Sequence, residues 1–199
     1  MSVHMSRSDI ISDSESLAKQ LLDLHFATFP HEDNVRPSWL NGLEADRLYR
    51  PGAGIEFIIE FQGIQHDRPT PHFHKDDKAF QKQLNRDSLK QQLAAKRGVT
   101  IYRLDIYDLS PDRFRNIIQG ICRDLITEAN KRSDAHLAEL TSRILHMLWY
   151  VTYPTDAQNH ITHLQNYRVL SSKPPRPSVW RVIAEAFGWP KQVSRYTPK

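Results

Sequence analysis

The stretch IEFIIEFQGIQHDRPTPHFH, residues 55–74, sets two glutamates, two glutamines and three histidines in and behind an apolar run. Successive side chains of a strand point to opposite faces, so Glu56, Ile58, Glu60 and Gln62 share one face and Ile55, Phe57, Ile59 and Phe61 the other. A strand that only fills a core has no use for carboxylates repeated on one face; a surface that holds a cation does. Upstream, LEADRLY (43–49) and the turn residues RPGAG supply the other arm of a hairpin. A turn centred near Ala53 sets Asp46 opposite Glu60 and Glu44 opposite Gln62, and like charges so opposed are destabilising without a counter-ion. Asp46 and Glu60 are therefore candidate metal ligands. Their hard oxygens suit Mg²⁺, with Mn²⁺ as the alternative, because Mg²⁺ keeps several waters and takes only one or two carboxylates. Histidine side chains ordinarily ionise near neutrality, so His66 is a candidate for general acid–base work. Zinc held by His66, His72 and His74 is the disfavoured reading: the chain has one cysteine and no second ligand pair at zinc-site spacing.

A second group follows on the segment DKAFQKQLNRDSLKQQLAAKRG, which reads as a long helix ended by Gly98. Asp87 and Lys90 stand one turn apart on it. The bland reading of the two is a surface ion pair. The elements that must position these groups begin with a helix over Ser14–Phe26, capped by Ser12 or Asp13. PHEDNVRPSWLNG then reads as a break. After the hairpin and long helix come a third strand over 99–107 and a helix opened by Ser110 and Pro111, with Phe114, Ile117, Ile118, Ile121, Cys122 and Leu125 as its apolar stripe. DAHLAELTSRILHMLWYV adds another helix. The order predicts an α/β protein with a mixed central sheet containing a β-hairpin and flanked by helices, residues 1–130 forming the core and 131–199 a helical, basic C-terminal region.

The chain has 199 residues, 39% hydrophobic and 25% charged, with a formal net charge of +4. That is enough for one core with a smaller appendage. No run approaches the roughly 18 apolar residues of a membrane span, and the polar start MSVHMSRSDIISDSES does not read as a signal peptide. With Cys122 the lone cysteine, a reducing, cytoplasmic setting is expected. Residues 159–199 carry seven Lys/Arg against the single acid Glu185. Arg168, Lys173, Arg176, Arg181, Lys191 and Arg195, interleaved with Trp180, Trp189 and Tyr196, make a candidate surface for duplex DNA; tryptophans packed on the core are the bland alternative.

Taken in order, Glu15 at the head of the first helix, Glu44 and Asp46 in LEADRLYRP, Glu60, Gln62 and His66 in IIEFQGIQH, and Asp87 and Lys90 in RDSLK resemble the PD-(D/E)XK nuclease superfamily, in the branch near very-short-patch mismatch repair endonucleases and phage homing endonucleases. The resemblance covers roughly the first two thirds of the chain. It implies a restriction-endonuclease-like core and a Mg²⁺-dependent endodeoxyribonuclease, with Glu15, Asp46, Glu60, Gln62, His66, Asp87 and Lys90 around the reacting phosphate. Two positions depart from the pattern: Gln62 stands where Lys or Asp is frequent, and Arg47 where an apolar residue is usual. The alternatives are a nuclease-fold protein that binds DNA without cutting it, and a phage- or plasmid-type factor that binds a protein; a homodimer is left open.

Overall fold

The computed structural model describes residues 7–62 and 77–153, together with Asn159 and Thr162. Among them the chain forms a four-stranded mixed sheet flanked by helices, in sheet order β1-β2-β3-β4. Helix α1 runs Arg7–Phe26. It begins at Arg7 rather than at Ser14, so Ser12 and Asp13 lie inside the helix and not at its start.

Strand β1, His31–Val35, occupies what the sequence reads as a break. It is an edge strand, exposed over most of its length, and antiparallel to β2 with His31 opposite Tyr49 and Asp33 opposite Arg47. Polar residues are ordinary on an edge strand, which is why HEDNV carries no apolar alternation.

Strands β2 (Ala45–Gly52) and β3 (Ile55–Gln62) form the expected hairpin in the expected register, with Arg47 opposite Ile59, Leu48 opposite Ile58 and Tyr49 opposite Phe57. The turn is tighter than RPGAG suggests. Only Ala53 (φ 52°) and Gly54 (φ 66°) make it, both left-handed as a two-residue hairpin turn requires, and β2 continues through Pro51.

Helix α2, Asp77–Arg97, is closed by Gly98 at φ 74°, with the Val99 N–H bonding the Ala94 carbonyl. It crosses over to β4 (Thr100–Asp105), which lies parallel to β3 with Ile58 beside Ile101, Glu60 beside Arg103 and Gln62 beside Asp105. The strand stops two residues short of Tyr107 because Asp105 caps a 3₁₀ turn over Ile106–Leu109. Its carboxylate accepts from the Tyr107 and Asp108 N–H groups, and Asp108 accepts in return from the Asp105 N–H. Helix α3 (Pro111–Lys131) follows; Ser110 sits at its N-cap, but the hydroxyl donates to the Tyr107 carbonyl instead of capping. Helix α4 (Ala135–Met147) is capped by Asp134. No helix among the described residues is long and apolar enough to cross a membrane.

Alternation along β3 divides the interior in two. Ile55, Phe57 and Ile59 join Leu21, Leu22 and Phe26 of α1 and the stripe of α3 in the larger core, whereas Ile58 packs with Leu48, Ala94 and Leu40 on the side covered by α2. The larger core also takes in Leu137, Leu148 and Tyr153.

Near the end of that core the His25 Nε2 and the Tyr153 hydroxyl lie 3.2 Å apart, with Phe114 against the imidazole. Burial, and then the neighbouring Arg115 charge, push the His25 pKa down to about 4. The unfolded chain therefore binds a proton that the folded chain refuses, so stability is intact above the ordinary histidine pKa and falls as pH drops towards the lowered value. The His25 contribution lost between about pH 7 and about pH 5 is roughly 2 kcal/mol. Urea midpoints across that range should drop in the wild type and drop less in His25→Leu; parallel curves would remove His25 from the acid sensitivity.

Candidate functional site

Three adjacent strands place Asp46, Glu60 and Arg103 side by side on the face of the sheet that α2 covers. Asp46 and Glu60 meet as the hairpin register demands. The Phe61 N–H donates to Asp46 Oδ2 at 2.8 Å, and the Asp46 N–H donates weakly to Glu60 Oε1 at 3.4 Å. From above, Lys90 of α2 reaches Glu60 Oε2 at 2.6 Å, both side chains being about one-seventh exposed at 14% and 16%. Lys90 thus makes its ion pair with Glu60 and not with Asp87.

This arrangement is electrostatically strained. Burial, and then the Asp46 charge, push Glu60 well above the usual carboxylate range, against the pull of Lys90 and of the Asp46 N–H. Asp46 is raised by burial as well, with the Glu15 charge adding to it and the Phe61 N–H, Lys90 and Lys19 opposing. Two carboxylates held this close and dry cannot both ionise freely unless positive charge arrives. Lys90 is one such charge; a divalent ion would be another.

Glu15 belongs to the same neighbourhood. It sits on α1, paired with Lys19 at 2.7 Å, and its charge bears on Asp46. Gln62 lines a cleft with Glu15, Phe61, Leu104, Asp105 and Leu109 at the carboxyl ends of the parallel strands β3 and β4, the end of an α/β sheet at which ligands bind. Asp105 is spent on its own cap. Its partner Asp108 is raised to about 6 by burial and by the Asp105 charge. Asp87 points its charge at Arg103, the half-buried guanidinium that also feels Glu60.

Two expected partners part company. Glu44 does not oppose Gln62: β2 starts at Ala45, and Glu44 instead accepts from Arg36 at 2.9 and 3.0 Å. Glu56, on the same face as Glu60, is neutralised by Arg50 at 3.0 Å and Arg97 at 2.9 Å, a structural triad far along the strand from Asp46. His66, His72 and His74 lie outside the described residues, as do Arg168, Lys173, Arg176, Arg181, Lys191 and Arg195. Arg103 was invisible to motif reasoning. Its place beside Glu60 follows only from the parallel register set by the α2 crossover.

Among the described residues no group of three or more His, Cys, Asp or Glu is gathered as a ligand set. The site offers two carboxylates, both hard oxygen donors of the kind that Mg²⁺ takes.

No family model matches the chain, and no solved structure does. A protein of Invertebrate iridescent virus 6, described as uncharacterized protein 307L, is 42% identical over 59 residues, 30% of this chain. The match spans 28% of the viral protein's length.

Proposed function

We propose that the chain is a metal-dependent DNA endonuclease with a restriction-endonuclease-like core. The observation that carries the reading is the opposed Asp46–Glu60 pair with Lys90 on Glu60, at the mouth of parallel strands, in a chain whose motifs run in nuclease order. Mg²⁺, when bound, would neutralise charge on the phosphate and lower the pKa of an attacking water. Asp46 and Glu60 would hold it through their carboxylate oxygens. Lys90 balances the pair in the meantime and would stabilise a phosphate oxygen that gains charge as the water oxygen bonds to phosphorus and the bridging oxygen leaves. Glu15 adds negative charge that favours a cation beside Asp46. By the family resemblance, His66 takes the water proton, Asp87 completes the water or cation site, and the basic residues from Arg168 to Arg195 grip duplex DNA.

One observation favours a second reading, a DNA-binding protein that does not cut. Gln62 lines the cleft with an amide, which neither takes a proton at neutral pH nor binds a hard cation as a carboxylate does. Supercoiled plasmid incubated with and without Mg²⁺ or Mn²⁺, beside a gel-shift assay, separates these. Cation-dependent nicked or linear product is expected. A retained shift without cleavage in either cation would leave the binding protein, and loss of both would point to a protein partner.

A further inference from the structure

We propose that Arg103 is a positioning residue, which clamps α2 onto the sheet so that Lys90 lands on Glu60. The register puts Arg103 next to Glu60 on the α2-covered face. Across from it, Asp87, Lys90 and Gln91 are spaced to share one side of α2. Asp87 and Glu60 are the carboxylates whose charges act on the guanidinium, and the Gln91 amide, with its oxygen turned inward, accepts from Nη1 at 2.8 Å and from Nη2 as well. A planar fork with several fixed donors is what such a bridge needs, and the point charge of a lysine does not replace it. Lys90 lies between Asp87 and Gln91 in the sequence, so a clamp on those two sets its height above Glu60 Oε2, 2.6 Å away.

Simple electrostatics makes the opposite prediction. Arg103 competes with Lys90 for Glu60, so deleting its charge without moving the helix would tighten the Lys90–Glu60 pair.

The placement stands without the nuclease reading; only its catalytic consequence rests on that reading. The test is limiting acetylation of the folded protein by acetic anhydride, read by peptide mass spectrometry. Lys19, a comparably buried lysine paired with Glu15, is the internal control. Arg103→Met should raise Lys90 acetylation relative to Lys19 by at least about fivefold, as expected for a lost charge-assisted bond. Arg103→Lys, which keeps the charge but not the fork, should raise it less and serves if the methionine variant does not fold. Unchanged or slower labelling of Lys90, or an equal rise at Lys19, would overturn the proposal. In the plasmid assay both variants should lose turnover, by roughly 10²-fold for a misplaced catalytic group, with duplex affinity retained. A wild type that cuts nothing, while Lys90 labelling still rises in the variants, would sink the nuclease reading and leave the clamp in place.

Discussion

Asp46→Asn is expected to lower cation-dependent cleavage by roughly 10³-fold and at the same time to stabilise the cation-free protein. The two effects have one cause. In the folded chain Asp46 and Glu60 are opposed across the β2–β3 ladder; burial raises the cost of ionising both, and the Asp46 charge adds to that cost at Glu60. An amide removes one of the two charges and with it half of any cation site, but it retains a carbonyl oxygen able to accept from the Phe61 N–H, the bond that Asp46 Oδ2 makes at 2.8 Å. Strand geometry should therefore survive. Lys90 is left with Glu60 alone and pairs with it more fully. Functional sites commonly hold like charges at a cost in stability, which neutralising variants recover. Plasmid cleavage and urea melts on one preparation decide it. A mutant that cuts at the wild-type rate removes Asp46 from the site, and one that is inactive but markedly less stable would mean that the pair is a structural element and not a strained binding site.

The hairpin was legible because its two signals agree: the turn near Ala53 and the alternation of Glu60 with Ile59 and Phe61 each select the register that sets Asp46 against Glu60. The crowded face and the apolar stripe of α3 were legible for the same reason, a period that repeats over several residues. What the sequence hid depends on long-range pairing. β1 is a strand because Asp33 faces Arg47 across the ladder, and no periodicity in HEDNV says so. Asp105 ends β4 by capping, a local competition that a run of apolar residues through Ile106 masks. Glu44 misses Gln62 because the strand begins one residue later, where Arg36 has already claimed it. Arg103 comes beside Glu60 only after a helical crossover has closed, and Lys90 chooses Glu60 over Asp87 only once α2 lies on the sheet.

Arg47→Met should cost about 3 kcal/mol of stability, at the lower end of what breaking a buried ion pair costs, and leave cleavage per folded molecule unchanged. Arg47 follows Asp46 directly, yet alternation sends it to the other face of the sheet, under α1, where it is 3% exposed. The position is buried, and the charge is met there by other side chains. The guanidinium donates to both Asp33 oxygens at 2.6 and 3.0 Å, to Asp23 at 2.6 Å, and more weakly to the Lys19 carbonyl and the Tyr49 hydroxyl. One side chain thus ties the edge strand β1 and helix α1 to the centre of the sheet. Methionine fills similar length without the fork. Asp23 and Asp33, respectively 51% and 34% exposed, regain water, which keeps the cost below that of stranding a fully buried charge; the Tyr49 hydroxyl, buried with its ring, loses this donor. The loss should be spatially uneven, with amide hydrogen exchange in His31–Val35 rising before exchange in β3 does. A loss below about 1 kcal/mol, the range of exposed pairs, together with unaltered exchange in β1, would show that the network is surface decoration on a strand held by its ladder alone.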